Sequence, residues 1–209
     1  MEERRKRLGQ GDRGSLLTVY SFTHEISVDV ASALPRMSQG VCWSGDALAV
    51  PLSWSVAVDP KTLWFVCSLP GGKTRVPNDS PGAFIEGLWE GDVAELFIKN
   101  QDGAYQEINL SPAGAWWSMT LSSYRERRAQ PRRPTPRQII SSVKDDRWEI
   151  VAGFDQRSLE VSVLPTSRLH VSGMWYRPEP RFLSSSPVQG VAPDYHHEKC
   201  FQAVSLVKA

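Results

Sequence analysis

Along most of the chain apolar and polar residues alternate with a period of two, in short runs closed by Gly, Pro, Asp or Asn. That is the pattern of antiparallel strands. It predicts strands over 16–29, 47–58, 62–69, 83–88, 92–99, 104–110, 115–121, 138–144, 147–154, 168–176 and 200–207. The stretches DPKT (59–62), NQDG (100–103) and KDDR (144–147) supply turn chemistry between neighbours. Helical periodicity is scarce, and the one helical turn expected lies near Gln156 to Leu159. No internal repeat is present. So many short strands in a chain of 209 residues predict an all-β fold, a two-sheet antiparallel β-sandwich.

The clearest hairpin is DVAELFIKNQDGAYQEINLSP, 92–112. One face of its first strand carries Ala94, Leu96 and Ile98, and the other carries Val93, Glu95 and Phe97. To bring Leu96 and Ile98 together with Ile108 and Leu110, paired residue numbers must sum to an even value. The connection is then a loop of three or five residues, with Gly103 in the left-handed conformation. Glu95, Glu107 and Asn109 fall on the opposite face, beside Phe97 and Tyr105. Such a face is either a solvated exterior or a binding surface. The ring of Trp89, just upstream, favours the second, because sugar faces stack on aromatic rings while carboxylates and amides bond their hydroxyls.

Charge changes the picture in one place. The chain carries a net +1, but residues 125–137 (RERRAQPRRPTPR) hold six arginines and one glutamate. Their prolines predict a loop, and a mobile basic loop suits an acidic partner or nucleic acid, with Tyr124 and Trp117 available for stacking. Cys42, Cys67 and Cys200 are odd in number and lack paired spacing, which predicts reduced thiols and a cytoplasmic setting. Residues 1–14 are basic, without an apolar run behind them, and predict a disordered arm before a single sandwich domain over 15–209. No stretch approaches the roughly 18 apolar residues a membrane span needs.

The run WEGDVAELFI, 89–98, resembles the W-E-x-D-x-x-E-x-F-I segment of family 9 carbohydrate-binding modules and related DOMON-like sandwiches. AYQEINLSP (104–112) falls where their next strand lies, and PDYHHEKCFQAVSLV (193–207) is similar to their closing loop and last strand. The resemblance implies a noncatalytic domain in which two rings, here Trp89 and Tyr195, sandwich a sugar that Glu95 hydrogen-bonds. Glu107 stands where that family has an arginine, and Tyr195 where it has a tryptophan. The sugar-site residues expected are therefore Trp89, Glu95, Glu107, Asn109 and Tyr195, with a small saccharide or glycan as partner. Structural calcium, also implied by the family, would draw on Glu90, Asp92 and Asp102.

Other constellations carry less. His196, His197, Glu198 and Cys200 lack a second group at ligand spacing and read as a solvated loop. His24, His170, Met119 and Met174 could serve as haem ligands, but no spacing selects a pair. Nucleophile-elbow, phosphate-loop, zinc-protease and dinucleotide motifs are absent from the sequence. Glu95 and Glu107 could form a hydrolytic pair if cross-strand neighbours, near ~5 Å. A flat sheet face, however, does not shift a carboxyl far enough for an acid role. Trp54 and Trp64 are expected between the sheets. Trp116 and Trp117 point to opposite sides of one strand.

Overall fold

The computed structural model describes residues 16–72, 78–144, 146–176, 179–186 and 192–209. The arm expected over 1–14 lies outside them. The strands are β1 (Leu17–Ser21), β2 (Met37–Val41), β3 (Ala47–Val58), β4 (Thr62–Pro70), β5 (Val93–Lys99), β6 (Tyr105–Leu110) and β7 (Trp116–Ser123). They continue with β8 (Glu126–Arg127), β9 (Pro136–Lys144), β10 (Arg147–Asp155), β11 (Arg168–Tyr176), β12 (Pro180–Ser184) and β13 (Gln202–Lys208). A first sheet runs β9-β10-β4-β3-β1, with β2 also on β3, and a second runs β8-β7-β6-β5-β11, with β12 on β11.

β13 joins the two. Its first residues pair antiparallel with β11 (Arg168 opposite Ala203, Leu169 opposite Gln202), and the rest runs parallel to β1 from Leu17 opposite Val204 to Ser21 opposite Lys208. A strand that changes sheets in this way makes the corner of a sandwich. β1 is also parallel to β3, so among the described strands the pairing is antiparallel except around β1.

Between the sheets, Leu96, Ile98, Ile108 and Leu110 pack against residues of the first sheet such as Phe65, Leu69, Ile150 and Phe154. The hairpin pairs as its alternation requires: Glu95 faces Asn109 and Leu96 faces Ile108. Asn100 N donates to Ala104 O, leaving a three-residue loop, and Gly103 has φ of 90°.

Both outer faces are covered. Over the first sheet, helix α1 (Val28–Ser32) and its flanks bring Phe22, Ile26 and Leu34 onto Ala57, Trp64, Val66 and Val151. Trp64 therefore lies outside the sandwich interior, unlike Trp54. β4 is buried along its whole length, so its apolar run on both faces cannot say which way a ring points. The strand expected over 16–29 ends at Ser21, because Ser27 caps α1, its hydroxyl accepting from Val30 N at 3.3 Å. Residues 83–88 form no strand, only a bridge from Phe84 to Trp116. A 3₁₀ turn does occupy Gln156–Ser158. No helix among the described residues is long and apolar enough to cross a membrane.

Candidate functional site

Over the second sheet, the outward face of the β5–β6 hairpin does not meet bulk solvent. Loop residues close over it from two sides. On one side the turn Leu88–Glu90, anchored by buried Leu88 and entered through Gly87 at φ 90°, sets Trp89 edge-on to Trp117, ring centroids 5.2 Å apart. On the other, the segment leading into β13 brings Tyr195, His196 and Phe201 onto Phe97 and Tyr105. Between them remains a cavity of about 320 Å³, in the lower part of the range of roughly 300–1,000 Å³ typical of small-molecule sites.

The cavity gathers Trp89, Glu95, Glu107 and Tyr195 of the expected site. Asn109 lies just beneath, its Nδ2 donating to Glu107 Oε1 at 3.0 Å. Tyr195 is not an open stacking platform. It is 8% exposed and its hydroxyl donates to Gly173 O at 2.6 Å, so it forms wall rather than lid. Trp89, only partly buried, is the ring with a face to offer.

Arg125, Arg127, Asp194, His196 and Met174 also line the cavity, although the sequence pointed to the arginines as part of a basic loop, to His196 as part of a solvated loop and to Met174 only as a conceivable haem ligand. Arg125 sits at the β7–β8 turn with φ of 57°, its side chain turned back to Asp194. Asp194 is the node of the rim. Its carboxylate accepts from Tyr124 Oη at 2.5 Å, Arg125 Nη2 at 2.9 Å and His196 N at 3.0 Å. Against the desolvation that would raise it, these bonds hold its carboxyl below the usual range.

His196 was expected in a solvated loop and instead packs edge-on against Phe97 and Tyr105. Arg125 N donates to the Tyr105 hydroxyl at 3.0 Å, and that hydroxyl lies 2.8 Å from His196 Nδ1. The hydroxyl, having accepted from Arg125 N, keeps its single proton to donate to Nδ1, and in that tautomer the ring hydrogen sits on Nε2, 3.9 Å from Glu107 Oε2. Burial and the nearby Arg125 charge hold His196 neutral, its pKa lowered to about 4.

The two floor carboxylates are 3% and 7% exposed. Burial raises Glu95 to about 8, with the Glu107 charge adding to the shift and the Ser172 hydroxyl, 2.8 Å away, opposing it. Burial raises Glu107 to about 7, opposed by the Asn109 bond and by the charges of Arg127 and Arg125. The sheet face is thus a cleft, and it shifts both carboxyls, contrary to the flat-face expectation. The pair is diagonal, because Glu95 faces Asn109 and Glu107 faces Phe97.

The remaining candidates disperse. Asp92 and Asp102 stand at opposite ends of β5, separated by roughly 20 Å or more at the rise of a strand. Asp92 spends its oxygens on Gly72 N at 2.7 Å and Tyr176 N at 2.9 Å, so the expected calcium set is not assembled. No group of three or more His, Cys, Asp and Glu that could hold a metal occurs among the described residues. Both nitrogens of His170 are occupied, Nδ1 donating to Tyr195 O and Nε2 accepting from Ser184 Oγ, which removes it as an axial ligand. His24 lies against Phe22, over the other sheet. His197 accepts from Lys199 N, and Glu198 pairs with Lys99 and Arg168.

The arginines of 125–137 are not a free basic patch. Arg127 pairs with Glu86 at 2.6 Å and lies over the Trp117 ring, and Arg128 reaches Glu160 at 3.8 Å. Arg132 donates to Arg157 O, Arg133 lies 3.7 Å from the Phe84 ring centroid, and Arg137 faces Glu25 and Asp155. Each of these guanidiniums has a local partner in the fold.

No protein-family model and no curated protein matches the chain. Solved structures do. A candidate carbohydrate-binding protein from Bacteroides uniformis aligns with a TM-score of 0.69 and 16% identity, over 93% of this chain and all of its own. A family 9 carbohydrate-binding module from Caldicellulosiruptor kristjanssonii solved with glucose aligns at 0.58 and 8% identity, over 92% of this chain and 96% of its own. The same organism's module with cellotriose aligns at 0.59 and 8%, over 92% and 94%. The chain therefore has the fold of family 9 carbohydrate-binding modules.

Proposed function

We propose that the protein is a noncatalytic saccharide-binding module and that the cavity over the second sheet is its site. One observation carries the reading: a partly exposed indole, Trp89, stands over a floor of carboxylates within a single cavity. A pyranose offers one flat apolar face and a rim of hydroxyls, and this cavity offers a ring for the first and acceptors for the second. The shared fold with modules solved holding glucose and cellotriose supports the same reading.

Hydrolysis is disfavoured by placement. A glycosidase sets its two carboxyls on either side of the scissile bond, whereas Glu95 and Glu107 rise from one sheet face and would meet a ligand from the same side.

A glycan array followed by calorimetry tests the proposal. Binding to at least one glycan is expected, with a loss of at least ~10-fold in Trp89→Ala. An array without binders, on protein shown to be folded, would overturn it.

A further inference from the structure

Charge in the cavity does not balance. Arg125 is held by Asp194 and Arg127 by Glu86, at 2.9 and 2.6 Å, and no hydrogen bond links either guanidinium to a floor carboxylate. Glu95 Oε2 accepts from Ser172, but no donor among the described residues reaches its Oε1. Glu107 Oε1 accepts from Asn109, while Oε2 has only His196 Nε2, at 3.9 Å and beyond hydrogen-bond reach. Two carboxyl groups, each more than nine-tenths buried, thus line the cavity with a spare acceptor apiece and no cation bonded to them among the described residues, and the lining sets three acids, Glu95, Glu107 and Asp194, against two arginines, Arg125 and Arg127.

Sugar hydroxyls could fill those acceptors but could not neutralise them. An ammonium group can do both, since it brings three donors and a positive charge. The ring of Trp89 at the wall is a surface against which a cation rests favourably, while that of Trp117 already carries Arg127. We infer that the saccharide this cavity takes carries an unacylated primary amine, an amino sugar whose ammonium seats on Glu95 and Glu107.

This rests on the saccharide-binding reading above. Burial, with the Glu107 charge adding to it at Glu95, keeps the pair partly protonated. Seating an ammonium favours both carboxylates, so the retained proton leaves to solvent as the ligand binds. The other groups facing the pair are Arg125, Arg127, Asp194, His196 and Tyr195, none of which gains a charge in that step.

Calorimetry at pH 6, where the sugar amine arrives as ammonium and the pair still holds its proton, in two buffers of different ionisation enthalpy, with the β-1,4-linked disaccharides of glucosamine, glucose and N-acetylglucosamine, tests the inference. The glucosamine disaccharide should bind at least ~10-fold more tightly than the other two, the order of one charge-assisted hydrogen bond, and only it should release protons. Glu95→Gln or Glu107→Gln, whichever folds, should bring it to within about threefold of the glucose disaccharide. Equal or weaker binding of the amine by wild type, or an amine preference that both variants keep, would overturn the inference while leaving saccharide binding intact. No binding of any of the three, together with a blank array, would remove both.

Discussion

The two outer faces of the sandwich each bury carboxylates, and they treat them oppositely. Over the first sheet Asp59 is 2% exposed and accepts from Lys61 N, Thr62 N, Trp64 Nε1 and Ile26 N, at 2.8, 2.9, 2.9 and 3.3 Å. Those bonds outweigh desolvation and hold its carboxyl below the usual range. Over the second sheet, Glu95 and Glu107 receive one hydrogen bond each, and desolvation raises both. Burial alone therefore does not separate structure from function. A carboxylate whose lone pairs are filled by the chain belongs to the fold, and one left with spare acceptors beside a cavity is available to a ligand.

The comparison can be broken at four points. Asp59→Ala leaves four donors facing a void, and urea denaturation should show a loss of roughly 3 kcal/mol or more, given 1.5–3 kcal/mol for a hydrogen bond to a charged group. A loss under about 1 kcal/mol would erase the contrast. Trp89→Ala should cost about 1–2 kcal/mol, from a half-buried ring and one edge-to-face pair. A larger loss, with wild type binding no glycan, would make Trp89 a core ring.

The third point is pH. A carboxyl with a raised folded pKa stabilises the fold below its unfolded value, and that contribution is lost as pH rises through the folded value. His170 and His196, lowered to about 3 and about 4, work in the opposite sense below their ordinary 6.5 and contribute no slope above it. Between pH 6.5 and 8, stability should fall with pH by up to roughly 1.4 kcal/mol per unit for each proton the pair holds, and Glu95→Gln should flatten the slope and melt higher than wild type at pH 8. An unchanged slope would show that the pair holds no proton there. The smallest effect belongs to Arg132→Ala, at the surface, where less than about 0.5 kcal/mol is expected in stability. A large drop in glycan affinity in that variant would return the basic loop to the site.

Alternation of residues told one side of each strand from the other, and that was enough to place Leu96, Ile98, Ile108 and Leu110 inside, with Glu95, Glu107 and Asn109 opposite. It could not tell whether the second face would be wet. That depends on Tyr195, His196 and Phe201 returning from about a hundred positions downstream, and on Arg125 folding back to Asp194. Nothing local encodes either meeting. For α1 a local signal existed in Ser27 followed by Asp29, a cap and an acidic first turn, but the β-branched Val28 and Val30 carried the reading toward strand.

β13 carries one more consequence. The wall of the cavity, 193–196, runs almost directly into the strand that holds the two sheets together. Whatever steadies Asp194 and His196 also steadies the seam, so occupancy should be felt as slowed amide exchange along 202–208, on strand residues that line no part of the cavity. The seam's opening rate would then serve as a built-in reporter of ligand, readable by mass spectrometry without touching the site.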